Sequence, residues 1–517
     1  MTEQSTPDQA VSERNENRSH RPTSQAFRDF MGSQWAARAD ALPAALESAS
    51  FAQQRRARLA AQFAGDVLVV PAGSRKVRSN DTDYRFRPHA AFAHLTGLGT
   101  DQEPDTVLVL HPLAAEEGGE ETSSDDGAAT HEAVLYLRPL APRESEEFYA
   151  DARYGEFWVG ARWTLEEAEA LTGIRAVHID ELHDALSKSI SAPGVSVRVI
   201  RGADDAVATL VDVVAAENGL DTFENSDGDD ELATAVSELR LVKDAFEIAQ
   251  LRLAVDASIQ GFADVVAQLP RAREHYRGER VVEGAFAARA REEGNALGYD
   301  TIAAAGDHAT TLHWIRNDGQ IRDGELLLLD AGVEVDSLYT ADVTRTLPIS
   351  GSFTDIQRTI YEAVREAADA AFAVVRPGVA FRDIHAAAQV VLAHKLAEWG
   401  LLPVSAEESL TPTGQQHRRW MPHGTSHHLG LDVHDCAQAR AELYLDGILE
   451  EGMVFTIEPG LYFKADDLAI PAEFRGIGVR IEDDVLVTAD GYENLSAALP
   501  REAQAVEAWM ANLLPNT

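Results

Sequence analysis

The chain has 517 residues, 45% hydrophobic and 25% charged, the balance of an ordinary globular protein with room for two to four domains. A formal charge of −40 at pH 7 argues against nucleic acid or an anionic membrane as a partner, because phosphate binding needs clustered Lys and Arg; metal cations suit such a surface better. The single cysteine, Cys436, rules out an intramolecular disulfide and a cysteine-rich zinc site, and fits a reducing, cytoplasmic setting.

In chain order, MTEQSTPDQAVSERNENRSHRPTSQ mixes acids, Arg and Pro with no apolar core of the secretory-signal type, and predicts a disordered tail over residues 1–40. No run approaches the roughly 18 to 20 apolar residues of a membrane span. From about Phe51, the segments DVLVVPAG, DTVLVLHP and EAVLYLRP are short apolar runs closed by Pro or Gly, as buried strands are. The acidic, glycine-rich stretch at 114–130 between the last two reads as a floppy hairpin insert. Helical spacing through EEFYADARYGEFWVGARWTLEEAEALTGI and IDELHDALSKSI completes a small α/β domain, assigned to residues 41–220. The polar bridge ENGLDTFENSDGDDE, at 217–231, marks the domain boundary.

Past it, residues 236–517 form the second predicted domain. SELRLVKDAFEIAQLRLAVDASIQGFADVVAQL carries one long amphipathic helix pattern. Further helices are predicted at Thr354–Val375, where TDIQ supplies a capping box and RPG a stop, and at Phe381–Trp399. ELLLLDAGVEV, TADVTRTLPI, GMVFTIEPGLYF and GIGVRIEDDVLVT are strand-like with turn signals. Helices and mostly antiparallel strands thus mingle in an α+β domain.

That domain puts acids where core strands should not want them. Asp330 ends LLLLD, Asp342 begins the returning strand, Glu458 ends MVFTIE and Glu482 interrupts GIGVRIEDDVLV. A lone buried carboxylate costs several kcal/mol or takes up a proton, so four converging ones demand cations, and two divalent ions would match them in charge. Alternation along GVRIED turns Arg480 toward the same face as Glu482, where it can orient a ligand or meet a substrate carbonyl. MPHGTSHHLGLDVHD packs His423, His427, His428 and His434 together. Pro422, Gly424 and Gly430 oppose a helix there, and spacing alone leaves open which imidazole binds metal and which are plain structural residues.

The set LLLLDAGVEVDSLYTADVTRT, HGTSHHLGLDVHD, FTIEPGLY and GVRIEDD, in this order, closely resembles the metallopeptidases of the aminopeptidase P and prolidase group. These share the pita-bread (creatinase/aminopeptidase) fold with methionine aminopeptidase. The resemblance spans the chain from Ser237 onward. RSNDTDYRFRPHAAFAHLTGL is similar to the aminopeptidase P signature in the smaller α/β domain preceding the catalytic one, which favours an Xaa-Pro aminopeptidase over prolidase, an Xaa-Pro dipeptidase. A catalytically inactive binding protein on the same fold is the alternative from another class, and all five ligand positions being competent argues against it.

The resemblance implies that Asp330, Asp342, His427, Glu458 and Glu482 hold two divalent ions per subunit, manganese by family habit with zinc or cobalt able to substitute, Asp342 and Glu482 bridging them. A hydroxide between the ions would attack the peptide bond preceding a proline in second position, with Glu458 as proton relay. His313, in TTLHWIRND, together with His423 and His434, would serve catalysis at the substrate, and His428 would point away or pack. Tyr462 and Arg480 would flank the substrate. Trp158, in GEFWVGARW, is either an aromatic wall from the N-terminal domain or a core Trp. A homo-oligomer, dimer or tetramer, acting on peptides is implied. One departure stands: Asp330 and Asp342 lie twelve positions apart, one more than in the relatives, so an extra residue must sit in the connecting turn or in a bulge.

Overall fold

The computed structural model describes Pro22 and residues 24–38, 41–80, 82–100, 103–113, 130–220 and 222–514. The chain divides into two compact units, Met1–Val236 and Ser237–Thr517. In the first, β1 (Val67–Pro71), β2 (Val107–Pro112), β3 (His131–Leu137), β4 (Arg175–His178) and β5 (Val197–Val199) form one sheet in the order β4-β3-β2-β1-β5. β1 to β3 are antiparallel neighbours, while β5 joins β1, and β4 joins β3, in parallel. Val67, Val69, Val107, Val109 and Val134 pack one face against Leu182, Leu186, Ile190, Val211 and Val214 of the helices Leu182–Ile190 and Asp205–Glu217. Leu68 and Val70 are equally buried on the other face. Burial on both sides is why these strands read as unbroken apolar runs rather than as alternation.

Local expectations shift in three places. Residues 1–21 of the expected disordered tail, and the insert at 114–129, lie outside the described residues; 25–31 of that tail form the helix Gln25–Met31, capped by Ser24. The continuous helical pattern after Glu146 is broken into Glu146–Ala150, Glu156–Val159 and Leu165–Thr172, with Gly155 and Gly160 flanking the middle piece. The polar bridge is a helix over Thr222–Glu238. Its acids are held by groups distant in sequence: Asp229 accepts from the Val199 N–H at 2.6 Å and from Arg201 at 2.5 Å, and Glu231 from Arg198 at 2.6 Å. A local pattern reads such charges only as solvated.

In the second unit the long helix α1 spans Ala245–Glu274 instead of starting at Ser237, because Asp244 and Glu247 form a capping box that fixes its start. It also runs through Pro270, past the expected end at Leu269, at the cost of the bond that an N–H there would donate. α2 (Gly278–Glu293) packs against it, as α3 (Asp355–Val374) packs against α4 (Phe381–Glu398). The Thr354–Gln357 capping box opens α3 as the sequence indicates. Between these helices lie β6 (Ile302–Ala305), β7 (Leu326–Ala331) and β8 (Val343–Pro348), ordered β8-β7-β6. A second antiparallel set contains β9 (Val454–Ile457), β12 (Asp483–Thr488) and β13 (Gly491–Asn494), and β10 (Gly460–Phe463) pairs with β11 (Ile477–Arg480). A bridge between Thr344 and Glu482 ties β8 to the β11–β12 junction. The four groups share one apolar core that includes Phe262, Phe286, Leu327, Leu329, Ile360, Phe455 and Val485. Among the described residues no helix is long and apolar enough to cross a membrane.

Candidate metal centre

Asp330 and Asp342 meet because their hairpin keeps one register. Asp330 pairs with Thr344 and Ala331 with Val343, and the same register continues to Glu334 opposite Thr340. Asp342 therefore faces Gly332, two positions from Asp330, and both carboxylates emerge on one face. The additional residue sits in the turn, where the Leu338 N–H donates to the Val335 carbonyl at 2.8 Å with Leu338 at φ +72°, and no bulge is needed. Gly332 is demanded by close packing: a Cβ there would lie 1.6 Å from the Ala341 carbonyl oxygen.

Glu482 reaches the same place across the bridge to β8, its Oε2 accepting from Thr344 Oγ1 at 2.6 Å. Arg480 donates Nε to Thr344 Oγ1 at 3.1 Å and Nη1 to the Tyr462 hydroxyl at 3.0 Å, and forms an ion pair with Asp330. His427 is pinned to β9 by the Thr456 N–H, which donates to its carbonyl at 2.9 Å. Its Nδ1 lies 3.2 Å from the His428 carbonyl, which can only accept, so Nδ1 carries the proton and Nε2 is turned to Asp342 at 3.3 Å and Glu458 at 3.8 Å. One ligand atom from each of Asp342, His427 and Glu482 falls within a common 4.8 Å.

These groups line a cavity of about 430 Å³ with Tyr299, Asp300, Ile302, Leu312, His313, Ile315, His423, Val433 and His434. Four acids and Arg480 in so confined a space cannot all ionise. Burial first, then the neighbouring carboxylates, lifts Glu482 well above the usual carboxylate range; burial raises Glu458 to about 7 despite His427 and Arg480, and raises Asp330 despite Arg480. His427 goes the other way: burial opposes its charge, but the hydrogen bond and attraction to Asp342 carry it up to about 9. The Tyr299 hydroxyl, with one hydrogen, lies 2.6 Å from Asp330 Oδ1 and 2.5 Å from Asp342 Oδ1. A second proton or a cation must relieve that pair. Oxygen donors in excess, one imidazole with Nε2 turned toward the carboxylates and an excess of negative charge are a donor set that fits divalent ions.

The three substrate-side histidines all line the cavity. His423 donates Nδ1 to the Gly424 carbonyl at 2.6 Å, leaving Nε2 to accept from the Tyr462 hydroxyl at 2.8 Å; burial, then Arg480, pushes it down to about 3 and keeps it neutral. His434 stands edge-on to His427 with centroids 4.4 Å apart, and burial lowers it too. His428 packs, stacked 4.7 Å from Phe381 and buried. Tyr462 is not in the cavity wall but behind it, linking Arg480 to His423. Trp158 belongs to the first unit, is 60% exposed there and donates to the Tyr149 carbonyl, so it is not a core residue. Sequence reading missed Tyr299, Thr344 and Asp484, the last accepting the Asp342 N–H at 3.1 Å. Only Asp484 left a signal, as another acid within an apolar strand.

A family model described as metallopeptidase family M24 matches residues 249–489, and one described as aminopeptidase P, N-terminal domain, matches residues 52–197. Xaa-Pro aminopeptidase 1 of Streptomyces coelicolor is 54% identical over 460 residues, 89% of this chain and 86% of that protein. Xaa-Pro aminopeptidase 2 of the same organism is 49% identical over 503 residues, 97% of this chain and 99% of its own. Among solved structures, zinc-substituted aminopeptidase P of Escherichia coli in complex with product matches with a TM-score of 0.75 and 29% identity, covering 91% of this chain and all of that one.

Proposed function

The chain belongs to metallopeptidase family M24 as a metal-dependent Xaa-Pro aminopeptidase, and on that premise we propose that Asp330, Asp342, His427, Glu458 and Glu482 hold two divalent ions, manganese in the working enzyme. The observation that carries this reading is the convergence of four carboxylates and the Nε2 of His427 on one cavity, where cations or bound protons must balance the buried charge. Bound there, the ions supply an activated water and draw electron density from the scissile carbonyl.

The remaining work falls to side chains of this chain. Glu458, which faces the cavity, can take a proton from the attacking water and return it to the departing prolyl nitrogen. Neutral His434 offers a ring nitrogen to the peptide, His423 presents its ring as part of the wall, and His313 contacts the peptide from the same cavity. Ile302, Leu312, Ile315 and Val433 provide apolar surface for the proline ring, which has no N–H to satisfy. Arg480 orients Asp330 and Glu482, with Tyr462 behind it keeping His423 in place. Trp158, exposed on its own unit, is available to a neighbouring subunit of a dimer or tetramer, and the single buried Cys436 suits a cytoplasmic enzyme.

Elemental analysis should find two manganese ions per chain after reconstitution, and fewer than about one, with no turnover, would sink the reading. Release of the first residue from an Xaa-Pro-Yaa tripeptide should greatly outpace cleavage of the Xaa-Pro dipeptide. The reverse preference would make the enzyme a dipeptidase.

A further inference from the structure

The loop at 306–318 carries Leu312, His313 and Ile315 into the cavity, yet the His313 ring has no hydrogen bond of its own among the described residues. Its position is therefore the loop's. Both feet of that loop rest on one side chain, Glu279, which is fully buried in the first turn of α2 and outside the cavity lining. Glu279 Oε1 accepts from the Ala305 N–H at 2.8 Å, where β6 ends, and from His308 Nδ1 at 2.7 Å. Oε2 accepts from the Gly319 N–H at 2.6 Å, where the loop leaves, and from Trp314 Nε1 at 2.9 Å. The Glu279 N–H donates in turn to the Gly319 carbonyl at 3.2 Å. Trp314, adjacent to His313, stacks on His308 with centroids 3.8 Å apart.

Four donors and a helix N-terminus saturate both oxygens, so the carboxylate is neither free to react nor available to a metal. Gly319 shows how tightly the clamp closes: a Cβ there would come 2.8 Å from Glu279 Oε2 and 2.7 Å from His308 Cε1. Only glycine lets the foot of the loop approach.

We propose that Glu279 is a positioning residue for substrate recognition: by clamping Ala305, His308, Trp314 and Gly319 together, it fixes where His313 meets the peptide. This rests on the reading of His313 as a substrate contact. A buried acid serving only stability would show no dependence on His313, whereas a clamp acting through that ring must. Misplacement of a contact by about 1 Å can cost on the order of 100-fold in rate, which sets the size of effect to seek.

The test is a double-mutant cycle on the fully metal-loaded enzyme, with kcat and KM measured on an Xaa-Pro-Yaa tripeptide and metal content checked in each variant. Glu279→Gln should lower kcat/KM by about 10- to 100-fold at unchanged metal stoichiometry, and in a His313→Ala background the same change should cost less than about 3-fold. Trp314→Phe, which removes one donor while keeping the stacked ring, should show a smaller loss that likewise disappears beside His313→Ala; it decides the matter alone if Glu279→Gln does not fold. Losses that multiply across the two sites overturn the clamp and leave the role of His313 intact. A His313→Ala enzyme as active as the parent removes that role, and the clamp with it.

Discussion

At the scale of single residues, ligand and substrate-side groups separate by what each touches. Asp342 offers one oxygen toward His427 Nε2 and the other to Tyr299, so Asp342→Ala should abolish both metal uptake and turnover, measured by elemental analysis and tripeptide hydrolysis. His434 stands edge-on to the His427 ring; His434→Ala should retain both ions and slow turnover by roughly 100- to 1,000-fold, the range for losing one group that stabilises a developing charge. Full activity in either variant would count against the role given to it. Tyr299→Phe removes the proton shared by Asp330 and Asp342, and should weaken metal affinity by about 10- to 100-fold in titrations of the chelated protein. That residue was invisible in the sequence because it lies in a loop with no periodicity, and its role depends wholly on what the hairpin brings against it.

At the scale of elements, the hairpin of β7 and β8 decides whether the first two acids share a face. An even offset from Asp330 to Gly332, opposite Asp342, is all that the chemistry needs, and the turn at 335–339 absorbs length without altering that parity. Deleting the exposed Asp336 from the turn should therefore leave metal stoichiometry unchanged and shift stability by no more than about 1 kcal/mol in a denaturant titration. Gly332→Ala, by contrast, drives a methyl group into the Ala341 carbonyl and should cost at least about 3 kcal/mol in the same measurement. The strands and α3 were legible because apolar runs, a capping box and Gly or Pro stops are local signals. The helix at Thr222–Glu238 was not, since the pairing of Asp229 and Glu231 with Arg201 and Arg198 makes its acids stable only in the folded unit.

At the scale of the whole molecule, the metal and the fold are linked through protons. Glu458 binds its proton more tightly folded than unfolded, so its contribution to the metal-free protein is lost as pH rises from about 4.5 to about 7; His427, raised to about 9, adds a contribution lost between about 6.5 and 9. Each tenfold gain in proton affinity on folding is worth about 1.4 kcal/mol, so between about pH 6.5 and pH 9, above the range where buried neutral imidazoles such as His423 and His428 act in the opposite sense, the melting temperature of the chelated protein should fall by roughly a few degrees. Manganese should flatten that slope, because cations replace the protons. Calorimetry with and without chelator reads the difference, and equal slopes would remove the ions from the account of this cavity.

The sequence by itself determined the two-part α/β and α+β organisation, the family, the acids and imidazoles able to bind metal, and the proline-directed peptidase chemistry that the resemblance implied, because each is written in local pattern or in residue type at fixed order. Only the tertiary structure decided that the extra residue sits in a turn, that Tyr462 stands behind the wall and Tyr299 within it, and that Glu279 holds the loop of His313. Those facts depend on which atoms meet across hundreds of positions, and no local spacing encodes a contact between chain segments that only folding brings within a hydrogen bond of each other.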